Sequence, residues 1–194
     1  MRVPSSRRLA SIGAAVSLVA LAVVVTATTP GPSVIEAPFG VPISADGSGQ
    51  GRNLVVAVDS VQLARQVSTS GGFSGGWTGE TPGIWLIVDA RVSAVTDPTS
   101  MTVSLVVDGV RYADSDRAGS GVLSSNILEP GLTIGGAVLI ELPGSVLSAP
   151  GAHQATLRFA TTDDPRLDSL LEVRVDLTTL DTVDTVELPE VARA

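Results

Sequence analysis

Apolar and polar residues alternate at every second position over most of the chain after residue 52. Residues 83–94 place apolar side chains on one face and Asp89, Arg91 and Ser93 on the other, which is typical of a strand with one solvated face. The same alternation recurs in residues 53–63, 138–142, 155–160 and 171–177. No part of this region keeps apolar residues at helical spacing over three turns. The pattern therefore predicts an all-β domain, an antiparallel immunoglobulin-like β-sandwich of about seven strands.

Two irregularities in the pattern predict how particular strands bend and pair. The alternation slips by one position at residues 59–60, which predicts a β-bulge. Asp108 and Gly109 separate two apolar runs, and this dipeptide favours a two-residue hairpin turn because both turn positions require positive φ. Such a turn pairs Val107 with Val110 and fixes the register of the hairpin.

The first 29 residues indicate export. Residues 1–8 contain three arginines and no acid, and residues 9–29 contain no charge, so the chain after them is expected outside the cytoplasm. About 20 apolar residues suffice to span a bilayer, so we expect a retained single-pass anchor helix with a cytoplasmic N-terminus. The alternative is a secretory signal that is cleaved after Ala27, since residues 25–27 are small enough for a cleavage site.

The remaining chain divides by composition into three parts. Residues 30–52 contain four prolines and five glycines and are expected to form a stalk. Within it, residues 39–41 can supply a short strand, which Pro42 would restrict to a sheet edge. Residues 53–180 carry the strand pattern and are expected to form the sandwich. Residues 181–194 are acidic, contain Pro189 and are expected to be a flexible tail.

Composition and charge exclude several classes of function. A hydrophobic share of 44% is sufficient for a packed core, and the absence of cysteine excludes disulfides and thiolate metal sites. After residue 29 the chain holds nine arginines, no lysine and twenty acidic residues. This balance disfavours broad nucleic-acid binding, which needs a basic patch to neutralise phosphates. No feature of the sequence calls for a cofactor.

Candidate catalytic and metal-ligating residues are few. His153 is the only histidine and no Gly-x-Ser-x-Gly motif accompanies it, so we expect a loop histidine and not an enzyme. Asp114, Asp116, Asp163 and Asp164 are weak candidates for a hard-cation site, because carboxylate oxygens are ligands for Ca²⁺. They lack the Asp-x-Asp-x-Asp-Gly spacing of a calcium loop, so solvated turn residues are the simpler interpretation and no metal is expected.

The glycine-rich segment 70–83 is the best candidate for a binding surface. It holds Phe73 and Trp77, two of only six aromatic residues in the chain. Aromatic side chains on a mobile loop can act as contact anchors for a protein, glycan or lipid surface. In the alternative interpretation both rings fold back and cover the end of the sandwich. Trp85, inside the following strand, is expected in or near the core.

Three segments resemble a known family. They are GIWLIVDARVSA at residues 83–94, SLVVDGVRYAD at residues 104–114 and LEPGLTIGGAVLIELP at residues 128–143. Together they resemble bacterial extracytoplasmic immunoglobulin-like (telokin-like) domains of unknown function, which usually follow a lipoprotein leader or membrane anchor. The glycine-rich insertion at residues 73–81 departs from that pattern. The resemblance implies a fold and a location, and it brings no catalytic residues.

These observations lead to one expectation and one alternative. We expect a non-enzymatic protein, tethered to the membrane through residues 9–29, whose β-sandwich contacts a membrane or cell-envelope partner. The alternative is a secreted ligand-binding or ion-binding module, released by cleavage after Ala27.

Overall fold

The computed structural model describes residues 6–44, 47–70 and 76–194. The chain forms two units, Met1–Ala37 and Pro38–Ala194. The first unit holds two helices, α1 (Ser6–Thr28) and α2 (Pro32–Ile35). At the end of α1 three threonine hydroxyls, those of Thr26, Thr28 and Thr29, donate to carbonyl oxygens one turn earlier at 2.7–2.9 Å.

A single-pass anchor over residues 9–29 requires a helix that is long and apolar enough to cross a bilayer. Among the residues that the structure describes, no helix combines the length and the hydropathy that crossing a bilayer requires. The single-pass helix expected over residues 9–29 is therefore not confirmed.

The second unit is built from two β-sheets. Its strands in chain order are β1 (Phe39–Pro42), β2 (Ser48–Gln50), β3 (Leu54–Thr69), β4 (Thr78–Ala94), β5 (Thr102–Val107), β6 (Val110–Ala113), β7 (Ile134–Leu142), β8 (Ala155–Ala160), β9 (Ser169–Val175), β10 (Thr182–Leu188) and β11 (Ala192–Arg193). Short 3₁₀ helices lie at Gly119–Gly121, Leu123–Ser125, Gly144–Ser148, Ala152–Gln154 and Leu177–Thr179. The five-stranded sheet has the order β1-β9-β8-β5-β6, and the six-stranded sheet has the order β10-β3-β4-β7-β11 with β2 also paired to β3.

The coarse expectation of an all-β two-sheet sandwich is confirmed, but the topology is not purely antiparallel. Strand β1 pairs with β9 in parallel, and β10 pairs with β3 in parallel. The described residues hold eleven strands, more than the seven or so expected. The immunoglobulin-like strand order is thus not confirmed.

The added strands lie in the two flanking segments, where the only strand expected was an edge strand at residues 39–41. Strands β1 and β2 fall within the expected stalk, residues 30–52, and β10 and β11 fall within the expected tail, residues 181–194. The physical reason is that β1 and β10 are edge strands with mostly exposed side chains, so backbone pairing holds them without an apolar alternation.

The predicted bulge and hairpin are both present. The pairing of β3 with β4 shifts register between Val58 and Ser60. Asp108 and Gly109 have φ of 49° and 78°, and Val107 pairs with Val110 as expected.

The main core lies between the facing sides of the two sheets. Alternate residues of β5, β8 and β9 meet alternate residues of β3, β4 and β7, as the period-two pattern predicts. Its largest fully buried side chains include Phe159, Leu105, Leu86 and Ile140. This layer follows directly from the alternation in the sequence.

A second apolar cluster lies on the opposite face of the six-stranded sheet, and we call it the outer core. Its buried members are Ala64, Val67, Trp85, Ile87, Val122, Ala137, Leu139 and Leu188. Residues 115–126, the crossover segment between β6 and β7, supply Val122, and the end of β10 supplies Leu188. Trp85 is fully buried here, so its expected place in the core is confirmed.

Candidate functional site

Trp77 lies at the end of the hairpin formed by β3 and β4, where its backbone is fixed by Thr69. The Trp77 amide donates to Thr69 Oγ1 at 3.0 Å, and the Thr69 amide donates to the Trp77 carbonyl at 2.8 Å. A Cβ at Gly79 would overlap the six-membered ring of Trp77, so the indole lies directly over this glycine. The ring is half-buried and packs against the outer core.

Trp77 and Trp85 share one cation. Their rings meet edge to face, with centroids 6.3 Å apart and planes at 77°. The guanidinium carbon of Arg117, in the crossover segment, lies 6.0 Å from the Trp77 centroid and 5.3 Å from the Trp85 centroid. Both distances are within the range of cation–π attraction. Arg117 therefore links the crossover segment to both indoles.

Hydrogen bonds hold Arg117 in this position. Its Nη1 donates to Glu141 Oε2 at 3.2 Å and to the Glu80 carbonyl at 3.3 Å. The other oxygen of Glu141 accepts from Thr81 Oγ1 at 2.6 Å. Because the carboxylate is held on both oxygens, the guanidinium has a fixed partner, and the whole group stays organised while partly exposed.

An open cavity of about 680 Å³ lies beside this group, and we call it the Trp77 cleft. One wall comes from the hairpin, with Thr69 and Trp77, and the opposite wall comes from the crossover segment. The C-terminal residues 188–191 close a third side. The cleft therefore combines an aromatic surface, a fixed cation and several polar groups.

Of the two residues predicted as contact anchors, the structure describes Trp77 but not Phe73. Trp77 lines the cleft but is half-buried, because it packs over Gly79 and against the outer core. Phe73 lies outside the residues that the structure describes. Sequence reasoning missed Arg117 and Glu141, which are distant from Trp77 along the chain. The run of small residues at 118–121, which permits close approach to the hairpin, is the one local feature that could have indicated the contact.

The single histidine lies in an exposed turn of the described structure. His153 is exposed in the 3₁₀ helix Ala152–Gln154, and its Nε2 lies 3.3 Å from Gln154 Nε2. Asp176, whose pKa is lowered chiefly by the Thr178 hydroxyl and only weakly by His153, uses Oδ1 to accept from the Thr178 amide and hydroxyl. No serine hydrogen-bonds to His153 in the described part of the chain.

The four candidate cation ligands do not converge. Asp163 accepts from Arg111 Nη2 at 3.1 Å, and Asp164 accepts from Arg166 Nε at 2.9–3.0 Å. The side-chain hydrogen bond from Arg166 is also the main reason that the pKa of Asp164 is lowered. Across residues 6–44, 47–70 and 76–194, no group of three or more His, Cys, Asp or Glu side chains is arranged to hold a metal ion.

The Asp114 carboxylate bonds to the backbone of a neighbouring strand, since its Oδ1 accepts from the Val103 amide at 3.3 Å. It thus helps to join β6 to β5. Asp116 begins the first turn of the crossover segment, where its carbonyl accepts from the Gly119 amide at 2.8 Å. Both residues fit the interpretation as turn and edge residues.

Comparison with known proteins gives two distant structural matches. No protein-family model matches the chain, and no curated protein matches it. An uncharacterized β-sandwich protein from Clostridium difficile 630 is similar with a TM-score of 0.47 and 12% identity, over 72% of this chain and 97% of that one. A candidate lipoprotein from Staphylococcus aureus subsp. aureus NCTC 8325 is similar with a TM-score of 0.44 and 9% identity, over 76% of this chain and 98% of that one. At these values neither protein transfers a function or a location to this chain.

Proposed function

We propose that the protein is an exported, non-enzymatic β-sandwich module that is tethered at the cell envelope and binds an envelope partner through the Trp77 cleft. The observation that carries the proposal is the cleft itself. There a half-buried indole, a fixed guanidinium and the crossover segment surround about 680 Å³ of open space.

Export is supported by the N-terminal sequence. Arginines precede the uncharged residues 9–29, and charge placed in this way keeps the start of the chain in the cytoplasm. The sandwich that follows carries a strong excess of acidic residues, which favours a soluble surface outside the membrane.

A binding role is supported by how the cleft is organised. Trp77 presents a rigid aromatic surface whose position is already fixed by Thr69 and Gly79, so little conformational freedom is lost when a partner docks. Arg117 is likewise held by Glu141 and the two indoles. Tryptophan and arginine are also the residue types that contribute most often to the energy of protein interfaces.

The non-enzymatic part of the proposal is supported by the environment of His153. The ring is exposed, and within the described residues its hydrogen-bonding neighbour is the adjacent Gln154. A general base needs a nucleophile within hydrogen-bonding reach and a third group that orients it.

The binding proposal is tested by photo-cross-linking in cells. A p-benzoylphenylalanine in place of Ser120, an exposed residue of the cleft wall, should trap a specific envelope protein. The same group in place of Ser100, exposed in the loop after β4 and outside the cleft, is the matched control. Equal cross-links from both positions, or none from Ser120, would contradict the proposal.

The tether is tested separately by fractionating cells and sequencing the N-terminus of the exported protein. Recovery from the membrane fraction with residues 9–29 intact supports the tethered protein. A mature chain that begins at Thr28 in the soluble fraction would instead establish the released module, with cleavage after Ala27.

A further inference from the structure

A second cavity, of about 250 Å³, lies on the outer face of the five-stranded sheet and shares no lining residue with the Trp77 cleft. Three of the nine arginines that follow residue 29 line it, namely Arg111, Arg158 and Arg166. We call it the arginine pocket. Asp163 and Asp164 line it as well, and each arginine is paired with a carboxylate, so what the pocket offers a ligand depends on which guanidinium nitrogens remain unbonded.

Ser104 forms part of the floor of this pocket and has no structural partner. It is 5% exposed, and within the described residues its hydroxyl makes no hydrogen bond. Val103 and Leu105 on either side point into the main core, so the Ser104 side chain points outward into the pocket. The hydroxyl is therefore presented to the pocket as a donor for an acceptor group of a ligand.

Arg158 lies directly beside Ser104. The two residues are partners in the antiparallel pairing of β5 with β8, so their side chains share one face at about 5 Å between Cβ atoms. Arg158 donates to Glu172 through Nε at 2.8 Å. Within the described residues its two terminal nitrogens make no hydrogen bond, which leaves the forked end of the guanidinium available to an acceptor.

The other two arginines are held by carboxylates at the rim. Arg111 binds Asp163, and Arg166 binds Asp164, both in the loop that closes the pocket after β8. These pairs fix the two guanidiniums near the opening. Ala160 and Leu170, both almost fully buried, add apolar walls.

We propose that the arginine pocket binds the oxyanion group of a small ligand, a carboxylate or a phosphate, with Arg158 and Ser104 as the primary donors. The planar fork of Arg158 matches two oxygens of such a group, and the Ser104 hydroxyl donates to one of them. The volume admits a compact ligand with a short apolar body against Leu170. This site is independent of the Trp77 cleft.

The test is isothermal titration calorimetry of the full chain with inorganic phosphate and, separately, with succinate, at an ionic strength held constant with potassium chloride. We expect saturable binding of at least one probe that chloride does not reproduce. Binding of phosphate alone identifies a phosphoryl ligand, and binding of succinate alone identifies a carboxylate ligand. Saturable binding of neither probe overturns the proposal.

Four variants locate the site. Arg158→Gln should weaken binding roughly 10-fold or more, and Ser104→Ala should weaken it by a smaller factor. Arg174→Gln is the matched control, because Arg174 is exposed on the same face of the same sheet but does not line the pocket. Glu172→Gln should strengthen binding, since it removes the negative charge that competes for Arg158.

Equal losses of binding in Arg158→Gln and Arg174→Gln would show a general charge effect and contradict the proposal. If Arg158→Gln does not fold, the proposal is tested by the other two variants: Ser104→Ala should bind the probe more weakly and Glu172→Gln more tightly, and any other result contradicts it.

Discussion

The two faces of the six-stranded sheet are buried by different means. On the inner face, the main core is covered by a second sheet, and the contributing strands alternate apart from the bulge in β3. On the outer face, the outer core is covered by a crossover segment, a hairpin end and the end of β10, which carry no such alternation. The inner face is aliphatic and closed, whereas the outer face includes two tryptophans and a partly exposed arginine.

The outer face is also divided along its own length. Near the hairpin end, Trp85 and Ile87 are fully covered. Further along β4, Arg91 is exposed and pairs with Asp59 at 2.8 Å. A closed aliphatic layer stabilises the fold, while a layer built from loops leaves a cleft and exposed charge. This difference explains why the Trp77 cleft lies on the outer face.

The largest effect is expected from a change in the main core. Phe159 is fully buried between Val103 and Leu171 on the neighbouring strands, so Phe159→Ala should lower the free energy of unfolding by about 3–5 kcal/mol. Phe39→Ala is the control, because Phe39 is 58% exposed on the edge strand β1, and it should change stability by less than about 0.5 kcal/mol. Urea denaturation measures both. Similar losses of unfolding free energy in the two variants would show that the buried core residue and the exposed edge residue contribute equally to stability.

A smaller effect is expected from the outer core. Trp77→Ala removes a half-buried ring and should lower the free energy of unfolding by about 1–3 kcal/mol, less than Phe159→Ala. Gly79→Ala should act in the same direction, because the added methyl group displaces the indole. Thermal unfolding with tryptophan fluorescence measures the stability and the indole environment together. An unchanged melting temperature in both variants would mean that Trp77 does not pack on the sheet.

Removing Arg117, the cation that both indoles share, should lower the free energy of unfolding by less than Trp77→Ala does. Arg117→Gln removes two cation–π contacts and a partly exposed ion pair with Glu141, so we expect a loss of about 1 kcal/mol. Arg65→Gln, which removes an exposed arginine paired loosely with Asp184, should have almost no effect. Chemical denaturation distinguishes the two. If the variants are equal, the stacking on Trp77 and Trp85 contributes nothing measurable.

The smallest change in stability is expected from the Asp59–Arg91 ion pair, which lies on the uncovered part of the outer face, and this change depends on pH. Hydrogen bonds from Arg91 hold the pKa of Asp59 below its ordinary value of about 4. A carboxylate with a lowered pKa contributes stability that is complete above the ordinary value and is lost as the pH falls through the lowered value. Asp59→Asn should therefore be slightly less stable than the natural chain at pH 7 and should approach it below pH 4, as thermal melts across this range would reveal. A constant difference at all pH values would contradict an electrostatic origin.

Several parts of the fold were predictable because their cause is local. Period-two alternation identifies the inner faces of β4, β7, β8 and β9, since one side of each strand must leave water. The Asp108-Gly109 turn is determined by two residues that tolerate positive φ. Strand β10 was not predictable, because it is held mainly by backbone pairing to a strand more than a hundred residues away, whereas residues 39–41 and Pro42 already indicated the edge strand β1.

The candidate sites show the same division. Trp77 stands out in the sequence because aromatic residues are rare, but its contacts with Gly79 and Arg117 depend on how two loops meet. The arginine pocket left no pattern in the sequence, since Ser104, Arg111, Arg158 and Arg166 come from three strands and a loop.

The sequence by itself determined the all-β class, the hairpin at Asp108-Gly109, the bulge near Asp59 and the strand residues that face the main core. Each of these follows from side-chain periodicity or from the backbone preferences of one or two residues. Only the tertiary structure decided that the flanking segments complete the sheets, that the crossover segment covers Trp85, and that distant arginines surround Ser104. Those arrangements depend on contacts between residues far apart in the chain, and no local pattern encodes which distant surface a loop or an edge strand will meet.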